Sequence, residues 1–383
     1  MKIVLLGTAF PYRGGLAAFN ERLARQLMSE GHDVEIITFT LQYPDFLFPG
    51  KTQYSDEPAP RDLKIRRMMS SINPFSWIKT GRAIRELKPD LLVIKFWIPL
   101  MAPCLGTIAR VVRKQETKDK GQSTEVVSIL DNVIPHEKRP MDKLLVRYFV
   151  KSVDRFVAMS DSVLGDLRLF TSDKPAVLSP HPLYDNFGEA VPKDVARLQL
   201  GIPDNQTVLL FFGFIRDYKG LDLLMQAYAD GRIDKSKVRL VVAGEFYNNS
   251  QKYRDLEREL GLENKIDWRT TFIPDYAVKG YFCAADLVVQ PYKSATQSGV
   301  TQIAYHFCKP MLVTHVGGLA EIVPDGKVGY VVDVDAGCVA DAIVDFCGRG
   351  DSECFRDGII EERKKYAWSG MSEAVRGKLK VES

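Results

Sequence analysis

Two cations three residues apart, Arg216 and Lys219, stand in Phe211-Phe212-Gly213-Phe214-Ile215-Arg216-Asp217-Tyr218-Lys219-Gly220, where an apolar run ends in a loop. A forked guanidinium and a point-charge ammonium at that spacing suit a diphosphate leaving group, because both strengthen as negative charge gathers on the departing phosphate. A second group lies in Gln297-Ser298-Gly299-Val300-Thr301-Gln302, which opens a helix through Phe307. Free amides at that helix start, with the Ser298 and Thr301 hydroxyls, make an anion cradle; the plainer alternative is ordinary capping. Gly14 and Gly15 close the loop that follows the first apolar run, and their amides sit where a helix start can approach a phosphate. In Val316-Gly317-Gly318-Leu319-Ala320-Glu321 a carboxylate falls one turn after a glycine pair, placed to accept ribose hydroxyls or to cap its helix.

Other chemistries lack their residues. The five histidines show no H-E-x-x-H or other paired ligand spacing, so no protein-built metal site is expected. The six cysteines include no C-x-x-C pair and read as free thiols. The G-x-G-x-x-G dinucleotide fingerprint is absent from the first glycine loop, which argues against a nicotinamide enzyme.

The elements that must carry these loops are legible as apolar runs bounded by turn residues. The front half has them at 2–6, 34–39, 91–96, 126–130 and 155–159, and the back half at 207–212, 238–243, 266–268, 287–290, 311–314 and 328–332. Continuous apolar runs of this length suit buried parallel strands. Helical spacing fills gaps at 16–29, where Phe19, Leu23 and Leu27 recur every four residues before Gly31, and at 221–229 and 250–260. Two such series, parted by the Pro-rich Ser179-Pro180-His181-Pro182-Leu183, predict an α/β protein of two Rossmann-like, doubly wound domains facing a central cleft. The length of 383 residues agrees with two domains rather than one core.

In this order and on this background, the sequence resembles the retaining GT-B glycosyltransferases of glycosyltransferase family 4, the group 1 type. The resemblance covers nearly the whole chain. It is carried by Gly14-Gly15, Gly31-His32-Asp33-Val34, Phe212-Gly213 through Lys219-Gly220, Val242-Ala243-Gly244-Glu245, Ala285-Asp286-Leu287, Pro291-Tyr292 and Gly317-Gly318-Leu319-Ala320-Glu321. It implies an acceptor-side domain over 1–182, a nucleotide-sugar-binding domain over 200–365, and a C-terminal helix at about 366–383 that packs back on the first domain, anchored by Trp368. Arg216 and Lys219 then neutralise the diphosphate. Donor contacts fall at Gly213, Glu245, Ile273 for the base, Ser298, Gly299, Val300, Thr301 and Glu321, with Gly14 and Gly15 adding amides.

His136, in Asp131-Asn132-Val133-Ile134-Pro135-His136-Glu137, falls where related enzymes carry a sugar-contacting or proton-handling histidine; alternatively it pairs with Glu137. Asp131 is nearer to the family's usual histidine position and reads as an exposed strand-end carboxylate for acceptor hydroxyls. Two departures stand out: the usual Glu-x7-Glu positions hold Ala295 and Ile303, leaving Gln302, Thr301 or Glu321 as substitutes, and the common second cation position holds Phe214, leaving Arg216 to replace it.

The implied activity is transfer from a nucleotide-diphospho-sugar to a saccharide or lipid-linked saccharide with retained configuration and no metal or other cofactor, the leaving phosphate taking the acceptor proton. A non-catalytic nucleotide-sugar-binding homologue and a GT-B-like epimerase are the alternatives. Residues 61–155 hold 20 basic and 10 acidic residues among several aromatics, which suits an anionic lipid surface. No pattern for nucleic acid accompanies that charge. Without a signal-peptide pattern or an apolar run long enough to span a bilayer, the expected location is cytoplasmic, peripheral on the inner membrane face.

Overall fold

The computed structural model describes residues 1–44, 52–55, 58–113, 123–134, 140–247, 250–295, 298–349 and 354–378. The chain divides into two compact units, Met1–His181 with Trp368–Ser383, and Pro182–Ala367.

In the first unit, strands β1 (Lys2–Leu6), β2 (Asp33–Leu41), β3 (Ile65–Ser70), β4 (Leu91–Phe96), β5 (Glu125–Leu130), β6 (Arg155–Ala158) and β7 (Ala176–Leu178) form one sheet in the order β3-β2-β1-β4-β5-β6-β7. All its pairings are parallel. The central strands are buried on both faces, as their unbroken apolar runs require. Helices α2 (Pro74–Leu87), α3 (Ala102–Arg113), α4 (Asp142–Val150) and α5 (Asp161–Arg168) contribute to the core on one face. Helices α1 (Gly15–Ser29) and α14 (Trp368–Val375) contribute to the core on the other. Trp368 packs on Phe19 with ring centroids 5.1 Å apart. Arg155 donates to the Ala374 and Val375 carbonyls at 2.6 and 2.8 Å, satisfying the open end of α14.

The second unit repeats the plan with β8 (Thr207–Phe212), β9 (Val238–Ala243), β10 (Ile266–Arg269), β11 (Leu287–Gln290), β12 (Met311–Thr314) and β13 (Gly329–Val332), ordered β10-β9-β8-β11-β12-β13. Its helices are α6 (Lys193–Leu200), α7 (Leu221–Tyr228), α8 (Gln251–Glu259), α9 (Asp275–Ala284), α10 (Gly299–His306), α11 (Leu319–Ile322), α12 (Ala336–Arg349) and α13 (Arg356–Glu362). At the amino end of β11, buried Asp286 takes Arg197 at 2.6 Å and the Val208 amide at 2.7 Å, tying α6 to the sheet. In each sheet the strand order reverses once, between β1 and β4 and between β8 and β11. The carboxyl ends of those strand pairs are where a doubly wound sheet opens a crevice for ligand.

β3 and β7 are two strands absent from the sequence reading. Both lie at sheet edges; β3 carries exposed Arg66 and Arg67, and β7 has three residues. Neither shows the apolar run of a strand paired on both sides.

Candidate active site

The second unit gathers its chemistry at the β8–β11 reversal. β8 ends at Phe212, and Gly213 (φ 94) turns the chain; Gly244, just past β9, has φ 137. A Cβ on Gly244 would collide with the Gly213 carbonyl, so the two loops approach as only glycine permits. The Gly213 amide donates to the Ala243 carbonyl at 2.9 Å, and the Ile215 amide to the Glu245 carbonyl at 2.8 Å. These bonds extend the β8–β9 ladder into the loop and hold Arg216.

Arg216 lies 3.8 Å from the centre of the Tyr247 ring, a cation–π contact that fixes the guanidinium without neutralising it. Lys219 ends a short 3-10 turn, Asp217–Lys219, closed by Gly220 at φ 67. Among the described residues neither cation has a carboxylate partner. Burial, with Arg216 nearby, lowers the Lys219 pKa to about 8. Two cations held together without an anion are a strong structural argument for an anionic ligand.

Across the reversal, the Lys293 amide donates to the Tyr218 carbonyl at 2.6 Å and its ammonium pairs with Asp222 at 2.5 Å. A side chain on Gly220 would strike the Pro291 carbonyl. A Cβ on Gly213 would lie 3.0 Å from Lys219 Nζ and 3.9 Å from Val300 Cγ2, so the Gly213 turn stands between Lys219 and the first turn of α10. The structure therefore brings Gly213, Arg216, Lys219, Glu245 and Ser298–Thr301 to one edge.

The hydroxyls expected in the cradle are otherwise engaged. Ser298 caps α10, accepting from the Val300 amide at 3.2 Å while donating to Gln290 at 2.7 Å, and Thr301 donates to the Ser298 carbonyl at 2.5 Å. They shape the helix start, leaving backbone amides and the helix dipole as the anion-facing groups. Half-exposed Glu245 follows β9, and half-buried Ile273 follows outermost β10, two strands from β8. Exposed Glu321 lies inside α11, beyond β12, and makes no cap. Gln302 is buried, and neither amide atom has a partner among the described residues.

In the first unit, Gly14 is the N-cap of α1 at φ 98, with no side-chain cap and nothing within 4 Å of an added Cβ among the described residues; Gly14 and Gly15 are both exposed. The Ala17 and Ala18 amides both donate to the Gly14 carbonyl at 3.1 Å, so what this helix start exposes is the Gly14-Gly15 backbone before them. Asp131 corrects the sequence reading: it is not an exposed carboxylate. Its side chain is 18% exposed and its Oδ1 lies 2.6 Å from Nζ of Lys95, itself 2% exposed. Burial raises the Asp131 pKa and lowers that of Lys95, while their attraction opposes both shifts. Lys95 was hidden inside an apolar strand run, and Tyr247 has no sequence signature that marks it; both emerge only from the fold. His136 and Glu137 lie outside the described residues.

Two parallel-sheet α/β units, of seven and six strands, make a GT-B architecture. A family model described as "Glycosyltransferase Family 4" matches residues 13–182, and one described as "Glycosyl transferases group 1" matches 206–348. The chain belongs to this family. A D-inositol 3-phosphate glycosyltransferase of Kribbella flavida is 26% identical over 376 residues, covering 93% of this chain and 88% of the relative. A lipopolysaccharide 1,2-N-acetylglucosaminetransferase of Salmonella typhimurium is 29% identical over 205 residues, covering 49% and 52%. Several relatives are matched over only about half their length. In fold the chain is similar to Anabaena HepE in complex with UDP, at TM-score 0.72 and 16% identity, over 98% and 99% of the two chains.

Proposed function

We propose that the protein transfers a sugar from a nucleotide-diphospho-sugar to a saccharide or lipid-linked saccharide in surface polysaccharide or glycolipid synthesis, with the anomeric configuration retained. The observation that carries this reading is the Arg216–Lys219 pair, without a carboxylate partner among the described residues, on the sheet edge where α10 starts. In the proposed reaction an acceptor hydroxyl oxygen bonds to the anomeric carbon, the bond from that carbon to the phosphate oxygen breaks, and the hydroxyl proton passes to the leaving phosphate. Charge grows on the diphosphate as it departs, so Arg216, Lys219 and the first-turn amides stabilise the transition state more than the ground state. Ile273 and Glu321 take the base and ribose, Gly14 and Gly15 add amides, and His136 handles the sugar or its proton. No metal or other cofactor enters this proposal. HepE solved with UDP-glucose supports a uridine nucleotide as the first donor to try.

The enzyme works at the cytoplasmic membrane face in this proposal. α3 lies between α2 and α4. Phe75 on α2 is 85% exposed and Leu144 on α4 62%, with Ile72 and Met141 exposed beside those helix starts. Exposed Lys79, Arg82, Lys143 and Arg147 lie on the same two helices. Apolar tips rimmed by lysine and arginine fit an anionic bilayer surface. Among the described residues no helix is long and apolar enough to cross a membrane.

The test is a thermal-shift panel of UDP, GDP, CDP, ADP, NAD and NADP without added metal. A rise with one nucleoside diphosphate is expected; a rise with NAD or NADP alone would overturn the reading.

A further inference from the structure

The ion pair at the carboxyl ends of β4 and β5 has no part in the diphosphate site. Along the face of β4 that meets α1, Leu91 and Val93 are core residues, and the next position on that face is Lys95. Its ammonium lies 3.4 Å from the centre of the Phe19 ring, 3.6 Å from the Met159 sulfur and 2.6 Å from Asp131 Oδ1. His181 packs edge-on against the same Phe19 ring at 5.2 Å. These contacts bring α1, β4, the ends of β5 and β6 and the His181 segment together. Asp131, with His181 across Phe19, supplies the titratable groups facing Lys95 among the described residues.

Well-packed apolar residues in place of a buried ion pair are often as stable or more so, which makes this pair a poor device for stability alone. Its geometry is one-sided. Asp131 Oδ1 is taken by Lys95, whereas Oδ2 has no partner among the described residues and the side chain keeps some exposure. It stands at the end of β5, one strand beyond the β1–β4 reversal and in the unit that also holds α1.

We propose that Lys95 is a positioning residue that keeps Asp131 ionised and turned so that Oδ2 accepts a hydrogen bond from a sugar hydroxyl. This rests on the glycosyl-transfer reading and deepens it. The hydroxyl belongs either to the donor hexose or to the acceptor, and no proton changes owner: Asp131 orients the hydroxyl while the leaving phosphate takes the proton.

The test begins without ligand. In the full chain with 13C-labelled aspartate carboxyls, the Asp131 resonance is assigned through Asp131→Asn. Asp131 is expected to be charged at pH 7 in wild type and Lys95→Arg, and protonated in Lys95→Met until the pH is raised; a charged Asp131 in folded Lys95→Met overturns the proposal. Binding of UDP and UDP-glucose then reads the donor arm. Their affinity ratio cancels any titration of Lys219, which faces the diphosphate in both. Turnover of UDP-glucose with methyl α-glucoside reads the acceptor arm through its KM.

Asp131→Asn is expected to shift the ratio or the KM about tenfold at every pH, the size of a lost hydrogen bond to a charge. Lys95→Met follows it at pH 7 and recovers in alkali; Lys95→Arg stays near wild type. A merely structural pair would lower stability without that alkaline recovery. A changed ratio assigns the donor hexose, a changed KM the acceptor, and no change in either sinks the proposal. If Lys95→Met does not fold, Asp131→Asn decides the binding arms alone. Wild type that binds neither UDP nor UDP-glucose contradicts the donor choice, and the carboxyl titration still decides the role of Lys95.

Discussion

The two order-reversal edges share a topology and handle charge in opposite ways. At β8–β11, Arg216 and Lys219 are held close with no carboxylate partner among the described residues, one against an aromatic face and one in a half-buried turn. Beside the β1–β4 reversal, at the carboxyl ends of β4 and β5, the buried cation is already matched, Lys95 by Asp131. A doubly wound sheet thus supplies only the place. On the proposed reading, an edge whose cations lack an anion suits a diphosphate, and one whose cation is matched suits a hydroxyl.

That contrast can be broken at the unmatched edge first. Lys219→Ala and Arg216→Ala are each expected to lower transfer by about two orders of magnitude, as loss of a transition-state charge partner does. Near-normal turnover by both variants would remove the site.

Gly220→Ala tests the backbone on which the edge depends. At φ 67, and with the Pro291 carbonyl in the way, alanine is expected to cost about 2 kcal/mol or more in urea unfolding, since left-handed backbone alone costs roughly 1–2. Gly201→Ala, at φ 65 and ψ 34 with nothing within 4 Å of an added Cβ among the described residues, should show only the backbone part. Equal losses would mean that the β8–β11 loops do not meet closely.

The pH dependence sharpens the comparison further. Lys219, lowered to about 8, is charged below that pH and neutral above it. Affinity for a nucleoside diphosphate should therefore fall about tenfold from pH 7 to 9. The contribution of this group to folding stability changes the other way. Between about 8 and the usual lysine range the unfolded chain binds more protons, so stability rises with pH. Lys219→Arg should flatten both trends.

The smallest expected effect is Ser298→Ala. Its hydroxyl caps α10 and holds Gln290, so about 1 kcal/mol of stability should go while transfer changes only a few-fold. A hundredfold loss of transfer would return the hydroxyl to the anion site.

The contrast also explains what could be read in advance. Central strands announced themselves because burial on both faces demands unbroken apolar runs; β4 was bounded at 91–96 from such a run. The same run concealed Lys95, because a lone lysine among apolar residues says nothing of a partner 36 residues on. Asp131 looked exposed for that reason. Arg216 and Lys219 were legible as a local spacing, whereas Tyr247 becomes their neighbour only through the β8–β9 ladder. Ser298 and Thr301 were placed at the correct helix start, but competition between capping and ligand is settled by geometry that sequence does not carry.

The most direct measurement of the central claim is the affinity for UDP of wild type, Lys219→Ala and Arg216→Ala, by calorimetry at pH 7 without metal. The predicted result is binding by wild type, weakened tenfold or more in each variant. Equal affinity in all three would contradict the assignment of the unpaired cations to the diphosphate.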